Sequence, residues 1–315
     1  MNKLLISGEM RSGTTLLANF LNQQKGITVY RDFLHIEGLM KAIEVNSLTD
    51  QLTQLQKTKL LYKFNFMDNA KLHFTLNIND AAFSSLNDFY DLVLNKISKE
   101  GDIYVGHKTT RTYDVINQLL KCQPSLKIIY MIRDPRDVIQ SAIKIFPDQN
   151  IYDHSDNWKG ASIKLNKLIL YSNNKERILP IYFEELIKNP RKTMDILNEF
   201  LGIEGLIIPE NLIDYQNPWI SNSSVGDIDK IFDKKAINRW RKTKNRSTEI
   251  VEILLSSHMK SLGYEPVLKA RNFHKIFIVM KYLVYIRFRD MPLKIRNLLR
   301  SIYLNRYLPL IRRIK

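Results

Sequence analysis

The sequence predicts an α/β protein: three layers, with a central parallel sheet between helices, followed by a basic helical extension. Three observations predict it. An apolar run, Leu4-Leu5-Ile6, leads straight into a glycine loop, Gly8-Glu9-Met10-Arg11-Ser12-Gly13-Thr14-Thr15, and out into a helical pattern with Leu16, Leu17, Phe20 and Leu21 on one side. Strand-like and helix-like runs then alternate as far as Gly202. Polar clusters fall at the ends of the strand-like runs, where open parallel sheets bind ligands.

The elements follow in order. Ile27 to Tyr30 is a β-branched run that reads as a second strand and ends in Arg31-Asp32-Phe33-Leu34-His35. Residues 36 to 100 read as mostly helical, with helical spacing through Phe83, Leu86, Phe89, Leu92 and Ile97. Gln51 to Leu61, polar and rich in Lys and Gln, reads as a mobile excursion. Gly101-Asp102 is a turn, and Ile103-Tyr104-Val105 is a third strand that stops at Gly106-His107-Lys108-Thr109. Leu126 to Ile132 is the clearest buried strand, a near-continuous apolar run of the kind parallel sheets use. It ends in Arg133-Asp134-Pro135-Arg136-Asp137, where Pro135 sits at the first position of a helix carrying Ser141. Ile178 to Phe183 is a further strand, leading to a helix that ends near Gly202.

The glycines are spaced as in a triphosphate-binding loop, but the residues after the second glycine are Thr14-Thr15, with no Lys. In that loop the Lys reaches the terminal phosphates and the following hydroxyl holds Mg²⁺. What remains here is a backbone cradle at a helix N-terminus with one internal cation, Arg11. It suits a phosphate-bearing ligand that brings no metal. Arg133 and Ser141, eight residues apart across a helix start, offer a cation and a hydroxyl to a second phosphate. An equally good reading pairs Arg133 with Asp134 or Asp137.

Composition narrows the classes further. The chain has 315 residues and a net charge of +16. Residues from Lys269 onward contribute +12 of that charge, which leaves +4 for the rest and removes most of the case for nucleic-acid binding. A single cysteine, Cys122, excludes an intrachain disulfide and points to a reducing compartment. The first strand begins so early that no signal peptide is expected, and the expected location is cytoplasmic. The six histidines show no zinc-like spacing.

With the glycine loop, Gly106-His107-Lys108-Thr109, Ile128 to Asp137 with Ser141, Arg239-Trp240-Arg241 and Leu262-Gly263-Tyr264 in this order, the sequence resembles the sulfotransferases that use 3′-phosphoadenosine 5′-phosphosulfate (PAPS), particularly their carbohydrate and tyrosylprotein branches. The likeness covers roughly residues 3 to 265 and implies a P-loop-like sulfotransferase fold. It implies that Arg11, Ser12, Gly13, Thr14 and Thr15 hold the 5′-phosphosulfate. Arg133 and Ser141 would hold the 3′-phosphate. Ser224 and Arg239 match further cofactor positions on weaker alignment. Asp32 stands where these branches place a Glu base, one methylene shorter; Glu37, His35 and His107 are rivals, and a helix cap is the structural alternative for Asp32. Lys108 and Arg11 would stabilise the group transferred and the leaving phosphate, with no metal. Phe183-Glu184 departs from the Tyr-Glu of many relatives, so a buried hydroxyl partner is missing on this reading.

The expected function is transfer of a sulfuryl group from PAPS to a hydroxyl, most simply of a saccharide or lipid-linked glycan. A kinase-like phosphotransferase and an inactive, membrane-attached binding protein are the alternatives. The boundary is drawn at 268. Residues 269 to 315 form a basic amphipathic tail, with Phe273, Ile276, Phe277, Met280, Val284 and Phe288 at helical spacing among basic residues, then Pro292 and a second helix. Such helices either lie on an anionic membrane surface or pack on their own domain.

Overall fold

The structure is a computed structural model, and it describes residues 1–32, 34–72, 76, 83–110, 112–171, 175–209, 232–243, 246–267, 272–292 and 295. Five strands form one sheet: β1 (Asn2–Gly8), β2 (Ile27–Arg31), β3 (Tyr104–Lys108), β4 (Leu126–Ile132) and β5 (Ile178–Tyr182). Their order is β2-β3-β1-β4-β5, and every pairing is parallel. The chain leaves central β1 in one direction to build β2 and β3 and then in the other to build β4 and β5. This reversal is the topological switch point at which open α/β sheets bind ligands.

The alternation of side chains along each strand builds two cores. Leu4, Ile6, Ile129 and Met131 face α1 (Thr14–Leu21), and with them pack residues of α8 (Phe183–Lys188) and α9 (Pro190–Leu201). Leu5, Val105, Ile128, Tyr130 and Ile132 face the other layer. That layer holds α2 (Ile36–Ile43), α3 (Gln54–Leu72), α4 (Leu86–Ile97), α5 (Tyr113–Cys122), α6 (Pro135–Ile145), α7 (Ile151–Tyr171) and α11 (Arg246–Ser261), α10 (Trp240–Thr243) preceding α11 in the chain. The expected three-layer architecture is present. β3 approaches β1 closely at Gly106, where an added Cβ would lie 1.9 Å from the Leu4 carbonyl oxygen.

Residues 51–61 differ from expectation. From Gln54 on, the Lys- and Gln-rich stretch is the start of α3, and Leu60, Leu61 and Phe64 reach the core beneath its polar surface. The last described helix, α12 (Asn272–Arg289), packs on α7 and α11. Apart from Ile295, the expected second tail helix lies outside the described residues.

Candidate active site

At the sheet's C-terminal edge the strand order arranges five clusters in a row: Asp32 after β2, Lys108 at the end of β3, the glycine loop after β1, Arg133 after β4, and Phe183-Glu184 after β5. Neighbouring strands lie about 4.8 Å apart. The row therefore places the carboxylate on one side of the loop and the arginine on the other.

The loop turns tightly. Ser12 N donates to the Glu9 carbonyl oxygen at 3.2 Å, Arg11 has φ +70°, and Gly13 caps α1 with φ +91°. A side chain at Gly13 would meet the Phe183 ring at 2.4 Å. No side-chain hydrogen bond caps α1 at Gly13, and its first turn carries no acid, so amide donors and the positive end of the helix dipole face the space over the loop. This is a cradle for an anion.

The cations cluster beside it. Arg11 Nε donates to Ser141 Oγ at 3.0 Å, joining the loop to the helix after β4. Arg133 Nη1 donates to the Arg11 carbonyl oxygen at 2.9 Å, and Nη2 to the Ala236 carbonyl oxygen at 2.7 Å. Its guanidinium stacks over the Phe183 ring, 4.2 Å from the centroid. Arg133 is thus a clasp between the loop and the segment carrying Arg239, and its buried Nε has no partner among the described residues. Burial and the nearby charges of Arg133 and Arg239 push the Arg11 guanidinium below its usual value. Three arginines thus come close enough to influence one another. Arg133 feels the charges of Asp137 and Asp134, but the direct contacts of these carboxylates go elsewhere: Asp134 pairs with Arg136, and Asp137 accepts from Trp240 N at 2.9 Å.

On the other side of the loop, Lys108 Nζ lies 2.5 Å from Asp32 Oδ1. The lysine side chain is 5% exposed, whereas the aspartate is 37% exposed. Asp32 N donates to the Lys108 carbonyl oxygen at 2.8 Å, continuing the β2-β3 ladder by one bond, and its φ of +53° turns the chain away. Asp32 is not a helix cap, because α2 starts at Ile36 with His35 as its capping position.

A phosphate cradle without a P-loop lysine, with arginines on one flank and an acid–lysine pair on the other, matches a known family. Residues 4–206, well over half of the chain, fit the model described as the Sulfotransferase family. The chain belongs to the sulfotransferase family. Over 295 residues it is 26% identical to protein-tyrosine sulfotransferase 2 of Gallus gallus, covering 87% of this chain and 72% of that protein. Its fold resembles the sulfotransferase domain of the Synechococcus PCC 7002 olefin synthase, with a TM-score of 0.53, 19% identity, and coverage of 84% of this chain and 96% of that domain. The sulfotransferase domain from the curacin biosynthetic pathway is similar, with a TM-score of 0.52, 18% identity, and coverage of 84% and 98%. The chain is thus a PAPS-dependent sulfotransferase.

In this sulfotransferase the rival bases have partners of their own. Glu37 Oε1 accepts from Asp114 N at 3.1 Å, at the start of α5; burial pushes its carboxyl up. His35 Nδ1 lies 2.9 Å from Thr109 Oγ1. His107 is fully buried in the core against the Tyr90 ring, so it cannot meet an acceptor. Burial pushes its pKa down to about 3, with His35 adding a smaller effect. Its folded pKa lies below its unfolded one, near 6.5, so its share of stability is present above pH 6.5 and is lost as pH falls toward 3. Acid titration of urea stability is expected to lose at most about 5 kcal/mol across that window through this group. His107→Phe should flatten the limb; an unchanged limb would show that His107 does not drive it.

Two supports went unread in the sequence. Tyr264 O–H donates to Glu184 Oε2 at 2.9 Å, and Asp134 N donates to Glu184 Oε1 at 3.0 Å. The hydroxyl that Phe183 lacks is therefore supplied from 80 residues away, and the Phe183 ring carries Arg133 instead. Arg136 pairs with Asp134 and with Glu252, both at 2.6 Å, and stacks on Trp240 at 3.8 Å. Together with Asp137 this cluster fixes the segment holding Arg239. Trp158 Nε1 donates to the Arg133 carbonyl oxygen at 3.2 Å, a framework role. Ser224 lies outside the described residues.

Proposed function

We propose that this sulfotransferase moves the sulfuryl group of PAPS to a hydroxyl of a saccharide, most simply a lipid-linked glycan, by in-line transfer with Asp32 as base. The observation that supports it is the Asp32–Lys108 pair standing across the loop from Arg11, Ser141 and Arg133. The donor set suits PAPS. Residues Arg11 to Thr15 present amides and a guanidinium to the 5′ end, while Ser141, Arg133 Nε and Arg239 lie toward the 3′-phosphate.

In the reaction the acceptor oxygen forms the new O–S bond as the bond from sulfur to the bridging phosphate oxygen breaks. Asp32 takes the acceptor proton. That proton neutralises the carboxylate and releases Lys108 from its ion pair. The full ammonium charge then becomes available as negative charge builds on the departing oxygen. Positioned cations of this kind carry most of the catalysis in the analogous phosphoryl transfers. The two side chains thus act as one unit, the base switching on the electrophile.

Peptide tyrosine is the second reading of the acceptor, favoured by the tyrosylprotein relative. Isothermal calorimetry with adenosine 3′,5′-bisphosphate is expected to show binding that EDTA leaves unchanged. Labelled sulfate from PAPS, offered to a panel of glycans and tyrosine peptides, should appear on the glycans. Labelling of peptides alone would overturn the saccharide reading, and selective binding of Mg²⁺-ATP would overturn the donor.

A further inference from the structure

The helix α12 is docked with its polarity reversed. The side facing the domain is held by polar and aromatic contacts. Tyr285 O–H donates to Asp153 Oδ2 at 2.6 Å, and Tyr282 O–H donates to Asp156. Arg289 Nη1 lies 2.7 Å from Asp156 Oδ2, and His274 Nε2 lies 3.2 Å from Glu249 Oε1. Tyr152 packs against both tyrosine rings, and Ile278 is buried on this side. The helix is therefore fixed in rotation.

Its other side is apolar and faces outward. Phe273 is 88% exposed, Met280 60% and Val284 68%, in one band with Ile276, Phe277 and Leu283. At 3.6 residues per turn, exposed Val279 widens that band on one side toward exposed Lys275, and exposed Lys281 borders it beside Phe277 on the other. Lys281 Nζ sits 4.5 Å from the Phe277 ring centroid, its stem lying along the apolar surface. Arg287 closes the C-terminal end, and seven more Lys or Arg with no acid follow in residues 293–315. Apolar side chains bordered on both edges by lysines fit the boundary of a bilayer, with rings and aliphatic chains below the headgroups and ammonium groups among the phosphates. A protein partner would not need cations on both edges, whereas an anionic bilayer pairs with each of them. Among the described residues no helix is long and apolar enough to cross a membrane, so this helix would lie on the surface.

We propose that α12 lays this outward face on an anionic lipid surface and so holds the enzyme where its acceptor resides. The idea deepens the lipid-linked acceptor reading and rests on it for the acceptor, but not for the binding itself. The test is flotation of the full-length chain with vesicles of phosphatidylcholine alone or with added phosphatidylglycerol. The wild-type chain is expected to float with the anionic vesicles and to dissociate as salt rises. F273S/M280S/V284S, at exposed positions, should lower vesicle affinity about tenfold or more, with thermal stability and adenosine 3′,5′-bisphosphate binding unchanged. K275E/K281E should lower it as well, through charge. A wild-type chain that stays with the pellet, or serine variants that float as well as wild type, would overturn the proposal. So would light scattering that shows a dimer broken by the serine substitutions while vesicles are ignored. Failure of the acceptor reading would show separately, as sulfation of soluble peptide alone with vesicle binding intact.

Discussion

Asp32→Asn is expected to lower the turnover of sulfuryl transfer by about a thousandfold while leaving adenosine 3′,5′-bisphosphate affinity within about threefold. The geometry carries this split. Asp32 sits two strands from β1, beyond Lys108, and the groups proposed to hold the nucleotide lie on and past the loop in the other direction. The amide keeps the shape of the carboxylate but accepts no proton; being neutral, it also leaves Lys108 without its ion pair from the start, so the expected loss is that of the base. Base and lysine are proposed to act on the same step, so the paired effect is expected to be non-additive. Lys108→Met alone should cost about as much as the double variant. Asp32→Glu extends the carboxylate by one methylene, and should retain far more activity than the amide. Labelled-sulfate transfer under saturating PAPS reads all four. Turnover of Asp32→Asn within tenfold of wild type would mean that the proton leaves by another route.

Arg133→Ala should be the most damaging single change to the cofactor half. Removing the guanidinium leaves the Arg11 and Ala236 carbonyl oxygens without their donors and strips the Phe183 ring of its cation. Each orphaned buried carbonyl costs about 1–3 kcal/mol, and the desolvated stacking about 2 kcal/mol. A stability loss of about 4 kcal/mol in urea is the expected result, with nucleotide affinity down by about a hundredfold because loop and Arg239 segment are no longer tied together. Arg133→Lys should recover little of either, since one ammonium cannot fork to two carbonyls and stack at once. A loss under 1 kcal/mol for the alanine variant would show that the clasp is held by something other than Arg133.

Much of this architecture could be read before any coordinates. β4 announced itself as a continuous apolar run because both of its faces are buried, and the glycine loop because its spacing admits so few conformations. The acid, the lysine and the arginine were located by a simple consequence of parallel strands: their ends gather on one edge. Other features stayed hidden for identifiable reasons. Three apolar residues of α3, Leu60, Leu61 and Phe64, are outnumbered in sequence by the polar ones around them, and only the packed domain shows that three suffice. The role of Arg133 as a clasp depends on main-chain carbonyls, which every residue possesses and no motif marks. The hydroxyl for Glu184 comes from Tyr264, a partner whose distance in sequence no local pattern spans. In α12 the amphipathic period was plain, but a period does not say which face turns inward. Asp153 and Asp156 on α7 decide that, by offering acceptors to Tyr285, Tyr282 and Arg289.

The crowding of Arg11, Arg133 and Arg239 has a thermodynamic corollary for the working cycle. Like charges held close in a partly buried site repel; the basicity of Arg11 is lowered first by burial and then by the charges of Arg133 and Arg239. An anion with two phosphate ends relieves it at both places together. If these arginines hold both phosphates, as proposed, the spent nucleotide, which keeps both, would relieve the repulsion nearly as well as the fresh donor. Departure of that nucleotide must restore the repulsion in full.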